Sequence, residues 1–283
     1  MTGALPPRPG RLADLGIRIA SAVVMVAAAL AALQLGGLVF LLFWLVASAA
    51  VFWEWQHMIG GARVRLRCLV GISALAIAAN FAAEGAPHWA IEVLVVGACG
   101  LFIIADRGTR RWSALGMFYA GALLVAMCVL RYSQPDFYQR LAIFWLFAIV
   151  WGCDVMAYFA GRLIGGPKLW SRVSPSKTWS GTLAGIMSGA LLGLGAVVAS
   201  GEKISIWPVL ALGLVLASAS QGGDLLESAM KRRFGVKDSS HLIPGHGGFM
   251  DRLDGFIVAS VLAALIGTWH YDSGLAANGL FTW

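Results

Sequence analysis

Charge is what this sequence has least of. Only 12% of its 283 residues are Asp, Glu, Lys or Arg, while 59% are hydrophobic; an ordinary soluble domain carries about 25% charged residues. With a mean hydropathy of +0.78, a water-soluble globular chain is excluded and an integral membrane protein is indicated. Cysteine is scarce too. Cys68, Cys99, Cys128 and Cys153 stand singly in or beside apolar runs, with no CxxC or other metal-ligand spacing, and read as small buried hydrophobes. The formal charge of +7 raises the question of nucleic acid. The basic residues are scattered between apolar runs and no recognition module is visible, so no nucleic-acid partner is expected. No short-period repeat is evident. No small-residue cleavage motif stands in the usual position after MTGALPPRPGRLADLG, and the run that follows reads as a retained first span.

What fills the chain instead is apolar runs. A bilayer-crossing helix needs about 20 mostly apolar residues, because the hydrocarbon core satisfies no stray backbone hydrogen bond. Nine candidates follow, at approximately 17–35, 38–53, 68–83, 89–105, 112–130, 141–159, 181–199, 206–222 and 255–269. Lys and Arg concentrate in short cytoplasmic loops. With nine spans, all basic residues but Arg131, Arg140 and Lys203 fall on one side, from Arg8, Arg11 and Arg18 through to Lys237 and Arg252. One missing helix would invert every later loop. The expectation is an all-α integral membrane protein of about nine transmembrane helices, N-terminus cytoplasmic, C-terminus outside. Its 35 glycines, in stretches such as GTLAG and SGALLGLG, suit helices packed through small residues. The twelve tryptophans read as interfacial anchors and lipid-facing bulk, and no chemistry is assigned to His57, His88 or His270. Residues 1–140 form an N-terminal transmembrane region (helices one to five). Residues 141–283 form a region of helices six to nine with two long polar loops on the cytoplasmic face.

Against this background SAMKRRFGVKDSSHLIPGHGGFMDRLD (228–254) is conspicuous. The eighth helix runs on through QGGDLLESAMKRRF, and Asp224, Glu227, Ser228 and Lys231 share one face at i, i+3, i+4 and i+7. That pattern fits a solvated helix end with Glu–Lys pairs, and equally an acidic group at the membrane boundary, which tends to be functional. Asp251 and Asp254 open the last apolar helix, where capping is an alternative. Three carboxylates, Asp224, Asp251 and Asp254, thus meet at two helix ends, and an oxygen-only set of this kind suits magnesium. Between them Pro244, Gly245, Gly247 and Gly248 enforce tight turns. Their exposed amides, with Lys231, Arg232 and Lys237, make a phosphate cradle. His246 is a phosphate donor, a base or an ordinary turn residue. In the earlier loop Ser174, Ser176, Lys177 and Thr178 precede the seventh helix, as N-caps or as anion ligands. Asp154 is the one carboxylate of the sixth span, a functional candidate unless a neighbouring helix satisfies it.

The 228–254 segment resembles the signature of phosphatidate cytidylyltransferases, also called CDP-diacylglycerol synthases. Ser228, Lys231, Arg232, Lys237, Asp238, Pro244, His246, Gly247, Gly248, Asp251, Arg252 and Asp254 occupy its fixed positions. Gly223-Asp224-Leu225, Asp154 with Tyr158 and Gly161, and Ser174-Pro175 with Lys177-Thr178 are similar to further family blocks. There is a departure: many members carry Lys where Ser176 stands and Glu where Ser180 stands.

The resemblance implies that phosphatidic acid attacks the α-phosphate of CTP at a cytosol-facing site, giving CDP-diacylglycerol and pyrophosphate. It implies Asp224, Asp251 and Asp254 as ligands of Mg²⁺, with a second cation as an option. Lys231, Arg232, Lys237 and Arg252 would hold phosphates, and Ser174, Lys177 and Thr178 would close the site with Asp154 and His246. A bacterial cytoplasmic membrane is the expected location, and a homodimer is compatible with it. Two other readings stay open: a related transferase acting on an isoprenoid lipid, and a non-catalytic transporter or scaffold. A transporter should show repeated halves with broken helices near the midplane, whereas here the polar residues collect at one face.

Overall fold

The computed structural model describes residues 11–132, 137–271 and 275–283. Among them are helices α1 (Arg11–Leu35), α2 (Gly37–Ile59), α3 (Val64–Ala83), α4 (Pro87–Ile104), α5 (Arg110–Tyr132) and α6 (Phe137–Leu163). After strands β1 (Lys168–Trp170) and β2 (Ser174–Thr178) come α7 (Trp179–Ala199), α8 (Ile206–Arg233), α9 (Met250–His270) and the short α10 (Ala276–Gly279). Among the described residues nine helices are long and apolar enough to cross a membrane, the number read from hydropathy. Arg8 lies outside the described residues.

Breaks between spans fall where the backbone demands them. Gly36 and Gly37 take φ of 63° and 47° between α1 and α2, a region that favours residues lacking Cβ. Pro87 opens α4 at its first turn, where a missing N–H costs nothing.

Small residues decide which helices touch. Along α7, Gly181, Gly185 and Gly189 recur every fourth residue, and a Cβ on each would stand 2.6–2.7 Å from the carbonyls of Ala157, Cys153 and Ile149 on α6. α6 and α7 therefore meet backbone to backbone. α8 and α9 do the same at Gly223 and Gly255, where a Cβ would lie 2.7 Å from Asp254 O and 2.8 Å from Ser220 O respectively. Aromatic rings fill the middle of the bundle. Trp44 of α2 stacks on Phe256 of α9 at 5.3 Å between centroids and on Phe147 of α6 at 6.4 Å. One hydrophobic core runs from Ala29 to Phe281, across the 140/141 boundary. α1 stands apart, with Val23 at 60% exposure.

Polar contacts gather at one end of the bundle. There Trp55 Nε1 donates to Trp112 O at 2.7 Å, and Gln56 and Ser113 exchange hydrogen bonds. The α6–α7 connection differs from the expected loop: β1 and β2 form an antiparallel hairpin. Gly165 and Gly166, at φ of 66° and 104°, stop α6, and Pro175 suits the extended strand that follows. Ser174 and Ser176 thus lie in β2 and not at a helix start. Thr178 is the N-cap, its Oγ1 accepting from Gly181 N at 3.2 Å.

Candidate active site

At this polar end a cavity of about 1100 Å³ opens between α1, α2, α6, α7, α8 and α9. One part of its wall is apolar, with Met25, Val26, Phe43, Trp44 and Phe147; the other part, termed the mouth, carries Asp154, Lys177, Thr178, Asp224, His246, Asp251, Arg252 and Asp254.

The close α8–α9 crossing puts Asp224, next to Gly223, beside Asp254, next to Gly255. Asp254 Oδ1 accepts from Gly255 N at 2.8 Å, and Ser228 Oγ donates to Asp224 Oδ1 at 3.4 Å. The α6–α7 contact brings β2 over the same spot: Lys177 Nζ lies 2.6 Å from Asp224 Oδ2 and donates to Gln221 Oε1 at 3.2 Å. Gln221, buried, donates in turn to Cys153 Sγ at 3.3 Å. Asp154, Asp224 and Asp254 line this wall together, with Lys177 among them. Carboxylates that repel one another in a half-buried mouth are stabilised together by cations placed between or beside them.

One turn along, Lys231 Nζ bridges Glu227 and Asp251 at 2.6 Å each. Glu227 is 1% exposed, so this lysine offsets a buried charge. Asp251 also accepts from Ser239 N at 2.9 Å and from Gly248 N at 2.8 Å, and its Oδ2 shares the single Ser239 hydroxyl proton with Glu54 Oε2, both oxygens 2.9 Å from Oγ. It ties the turn after α8 to the start of α9.

The glycine loop rests on two distant helices. Against α1, Ser21 Oγ lies 2.7 Å from His246 Nδ1, and a Cβ on Gly245 would stand 2.8 Å from Arg18 Cγ. Against α2, Glu54 accepts from the loop's hydroxyls and amides. Arg252 Nε donates to His246 O at 3.0 Å. Burial first, and then the positive charge of Arg252, hold the His246 imidazole below its ordinary value. A second, polar cavity of about 470 Å³ lies beyond, lined by Arg18, Lys237, His241, His246 and Arg252 with a single carboxylate, Asp238. His246 and Arg252 belong to both cavities.

The structure thus brings together Asp154, Lys177, Thr178, Asp224, His246, Asp251, Arg252 and Asp254, with Lys237 in the adjoining cavity. It places Lys231 behind Asp251. Ser174 is buried in β2 away from the cavity lining, and Ser176 lines the cavity instead. Arg232 is exposed, its Nη1 donating to Val236 O at 3.1 Å. Glu54, Ser21, Arg18 and Gln221 were not singled out as site residues in the sequence. Glu54 carried the one available signal, a carboxylate inside the apolar run FWEWQHMI.

The sequence profile of the cytidylyltransferase family matches residues 16–269. The chain belongs to that family. It is 38% identical over 260 residues to the phosphatidate cytidylyltransferase of Brucella abortus, covering 90% of this chain and 94% of that protein. With the phosphatidate cytidylyltransferase of Staphylococcus epidermidis identity is 32% over 249 residues, 85% of this chain and 94% of the relative. A third, from Staphylococcus saprophyticus, is 29% identical over 249 residues. The match begins within α1 and ends in α9, so all nine long helices of this cytidylyltransferase family member fall within or overlap it.

Proposed function

We propose that this chain transfers CMP from CTP to phosphatidic acid within the membrane. A phosphate oxygen of the lipid attacks the α-phosphorus of CTP, the bond from that phosphorus to the bridging oxygen breaks, and pyrophosphate leaves. The observation that carries the reading is the pair of cavities that share His246 and Arg252 in their walls. The larger combines an apolar wall, suited to acyl chains, with a charged mouth; the smaller is lined by cationic and imidazole side chains, suited to a polyphosphate. His246 and Arg252 stand between them, where the two polyanions would meet. The attacking oxygen is already ionised near neutral pH, so positioning and charge neutralisation carry the rate and no strong general base is required.

Lys177 and Arg252 would neutralise phosphate oxygens at the mouth, and Lys237 with Arg18 would hold the outer phosphates. Lys231 would act behind Asp251, keeping that carboxylate in place. Among the described residues no three His, Cys, Asp or Glu side chains form a metal site by themselves. Magnesium is usually held by one or two carboxylates completed by substrate phosphates and water, and the oxygen donors of Asp224 and Asp254, with Asp251 on the same wall, fit that pattern. Bound there, the ion would supply charge neutralisation to the phosphates. A second cation and a homodimer remain compatible with this reading.

The asymmetry of Lys and Arg supports placing the cavity mouth on the cytosolic side, with the N-terminus inside. A bacterial cytoplasmic membrane is the setting we infer, and residues 141–283 would contribute most of the chemistry. The test is a panel of lipid phosphates offered to purified protein with CTP and Mg²⁺. Pyrophosphate release is expected with phosphatidic acid and not with polyprenyl phosphate; the opposite preference would move the function to an isoprenoid lipid, and release with neither would favour a non-catalytic role.

A further inference from the structure

Glu54 lies near the polar end of α2 at 0% exposure. A carboxylate withdrawn from water is tolerated only where its lone pairs are taken. Four donors face them here, one of them, the Ser239 hydroxyl, shared with Asp251. Oε1 accepts from Ser240 Oγ at 2.6 Å and Phe249 N at 2.8 Å; Oε2 accepts from Ser239 Oγ at 2.9 Å and Met250 N at 2.7 Å. Phe249 N and Met250 N are amides that the start of α9 leaves without intrahelical partners. Glu54 therefore caps α9 from a different helix, with its negative charge at the positive end of the α9 dipole. The two hydroxyls belong to the middle of the connection between α8 and α9, so one side chain ties that segment to the start of α9. Gly248 makes the approach possible, because a Cβ there would stand 2.6 Å from both Glu54 oxygens.

We propose that Glu54 is a positioning residue of the transfer reaction. It lines neither cavity, and it acts through the loop. With the 239–240 segment fixed to the start of α9, Ser239 and Gly248 present their N–H groups to Asp251, Asp251 holds Lys231, and Asp254 follows one turn later at the mouth. Without it, two α9 amides and two hydroxyls compete for other acceptors, and the carboxylates lose their shared register. The nearest α2 residue lining the large cavity is Ala47, about two turns away, so the apolar wall does not depend on Glu54.

This inference rests on the CMP-transfer reading for its kinetic readout, and amide exchange tests it without that reading. Glu54→Gln is nearly isosteric but aims an NH₂ at a group that is itself a donor. In lipid nanodiscs it should keep the thermal midpoint within a few degrees of wild type while amide exchange at 248–251 accelerates. Its kcat should fall by about 10- to 100-fold, the scale of supporting-residue mutations, with the KM for phosphatidic acid within twofold of wild type. Glu54→Asp, which keeps the charge and the acceptors, should recover part of kcat. Wild-type kcat in Glu54→Gln overturns the proposal. So does an equal effect on kcat and lipid KM with no recovery in Glu54→Asp, which would mark general structural damage. Should Glu54→Gln fail to fold, Ser240→Ala decides, since it removes one donor and leaves the α9 amides in place: a lowered kcat at unchanged lipid KM supports the proposal, and wild-type kcat overturns it. If wild type releases no pyrophosphate, the function reading fails, while exchange at 248–251 still separates a clamped loop from an unclamped one.

Discussion

Lys177 Nζ lies 2.6 Å from Asp224 Oδ2, joining the end of β2 to α8 across the cavity mouth. The pair closes a polar chain from Asp224 through Lys177 and Gln221 to Cys153, so the α6–α7 unit and the α8–α9 unit face one point. Lys177 offsets the carboxylate, and on the proposed reading the phosphate oxygens of CTP would compete for it.

Replacing Lys177 with Ala removes that cation from the mouth and leaves Asp224 unpaired. Truncating one partner of a partly buried charge pair has large effects. The expected outcome is a KM for CTP raised about tenfold or more with a smaller change in lipid KM, measured by steady-state pyrophosphate release. An unchanged CTP dependence would remove Lys177 from the nucleotide site.

Asp224→Asn keeps the shape and removes the charge, so turnover should fall by on the order of 100-fold or more even at saturating Mg²⁺, while the thermal midpoint stays near that of wild type. Asp251→Asn should lose activity and also lower the midpoint, because Asp251 holds Lys231 and two loop amides. Full activity in Asp224→Asn would show that no cation depends on it.

Gly255→Ala places a methyl group 2.8 Å from Ser220 O and pushes α9 away from α8. Gly222→Ala, one residue from the crossing point, meets nothing within 4 Å and gains about 1 kcal/mol of helix propensity. The first should cost at least tenfold in kcat and the second should be silent or stabilising. Equal behaviour would mean that the crossing does not set the spacing of Asp224 and Asp254.

The family's usual Lys and Glu at positions 176 and 180 can be restored separately. Ser176 is exposed and lines the cavity. Ser180 Oγ is engaged by Gly165 O and, at 3.1 Å, by Thr178 Oγ1. Ser176→Lys alone should therefore lower the KM for CTP, and Ser180→Glu alone should destabilise the turn into α7. If Ser176→Lys helps only alongside Ser180→Glu, the two residues act as an ion pair instead.

His246 titrates below its ordinary value of about 6.5. Between the folded value and 6.5 the unfolded chain binds more protons, so stability rises with pH there and falls as pH drops through that interval. The thermal midpoint of wild type should decline over this window more steeply than that of His246→Gln. Parallel declines would place the titrating group elsewhere.

The helix count, the extension of α8 and the cluster of Asp224, Lys177, Asp251 and Asp254 were legible because each has a local signature: an apolar run, an i, i+3, i+4 face, a motif spacing. The β1–β2 hairpin was not, since a three-residue strand has no periodicity to detect. Glu54 was missed for a different reason. Its meaning lies in amides nearly two hundred positions away, and only the packing of α2 against the start of α9 reveals it. The Lys231–Glu227 pair was open to reading in the i, i+4 spacing, but the bridge from Lys231 to Asp251 required the fold.

The most direct test of CMP transfer uses CTP labelled separately at the α- and γ-phosphates, given to purified protein in phosphatidic acid vesicles with Mg²⁺. The α-label should appear in the lipid fraction and the γ-label in released pyrophosphate, in equal amounts. Label from the γ-phosphate in lipid, or neither label moving while the protein remains folded, would contradict the account.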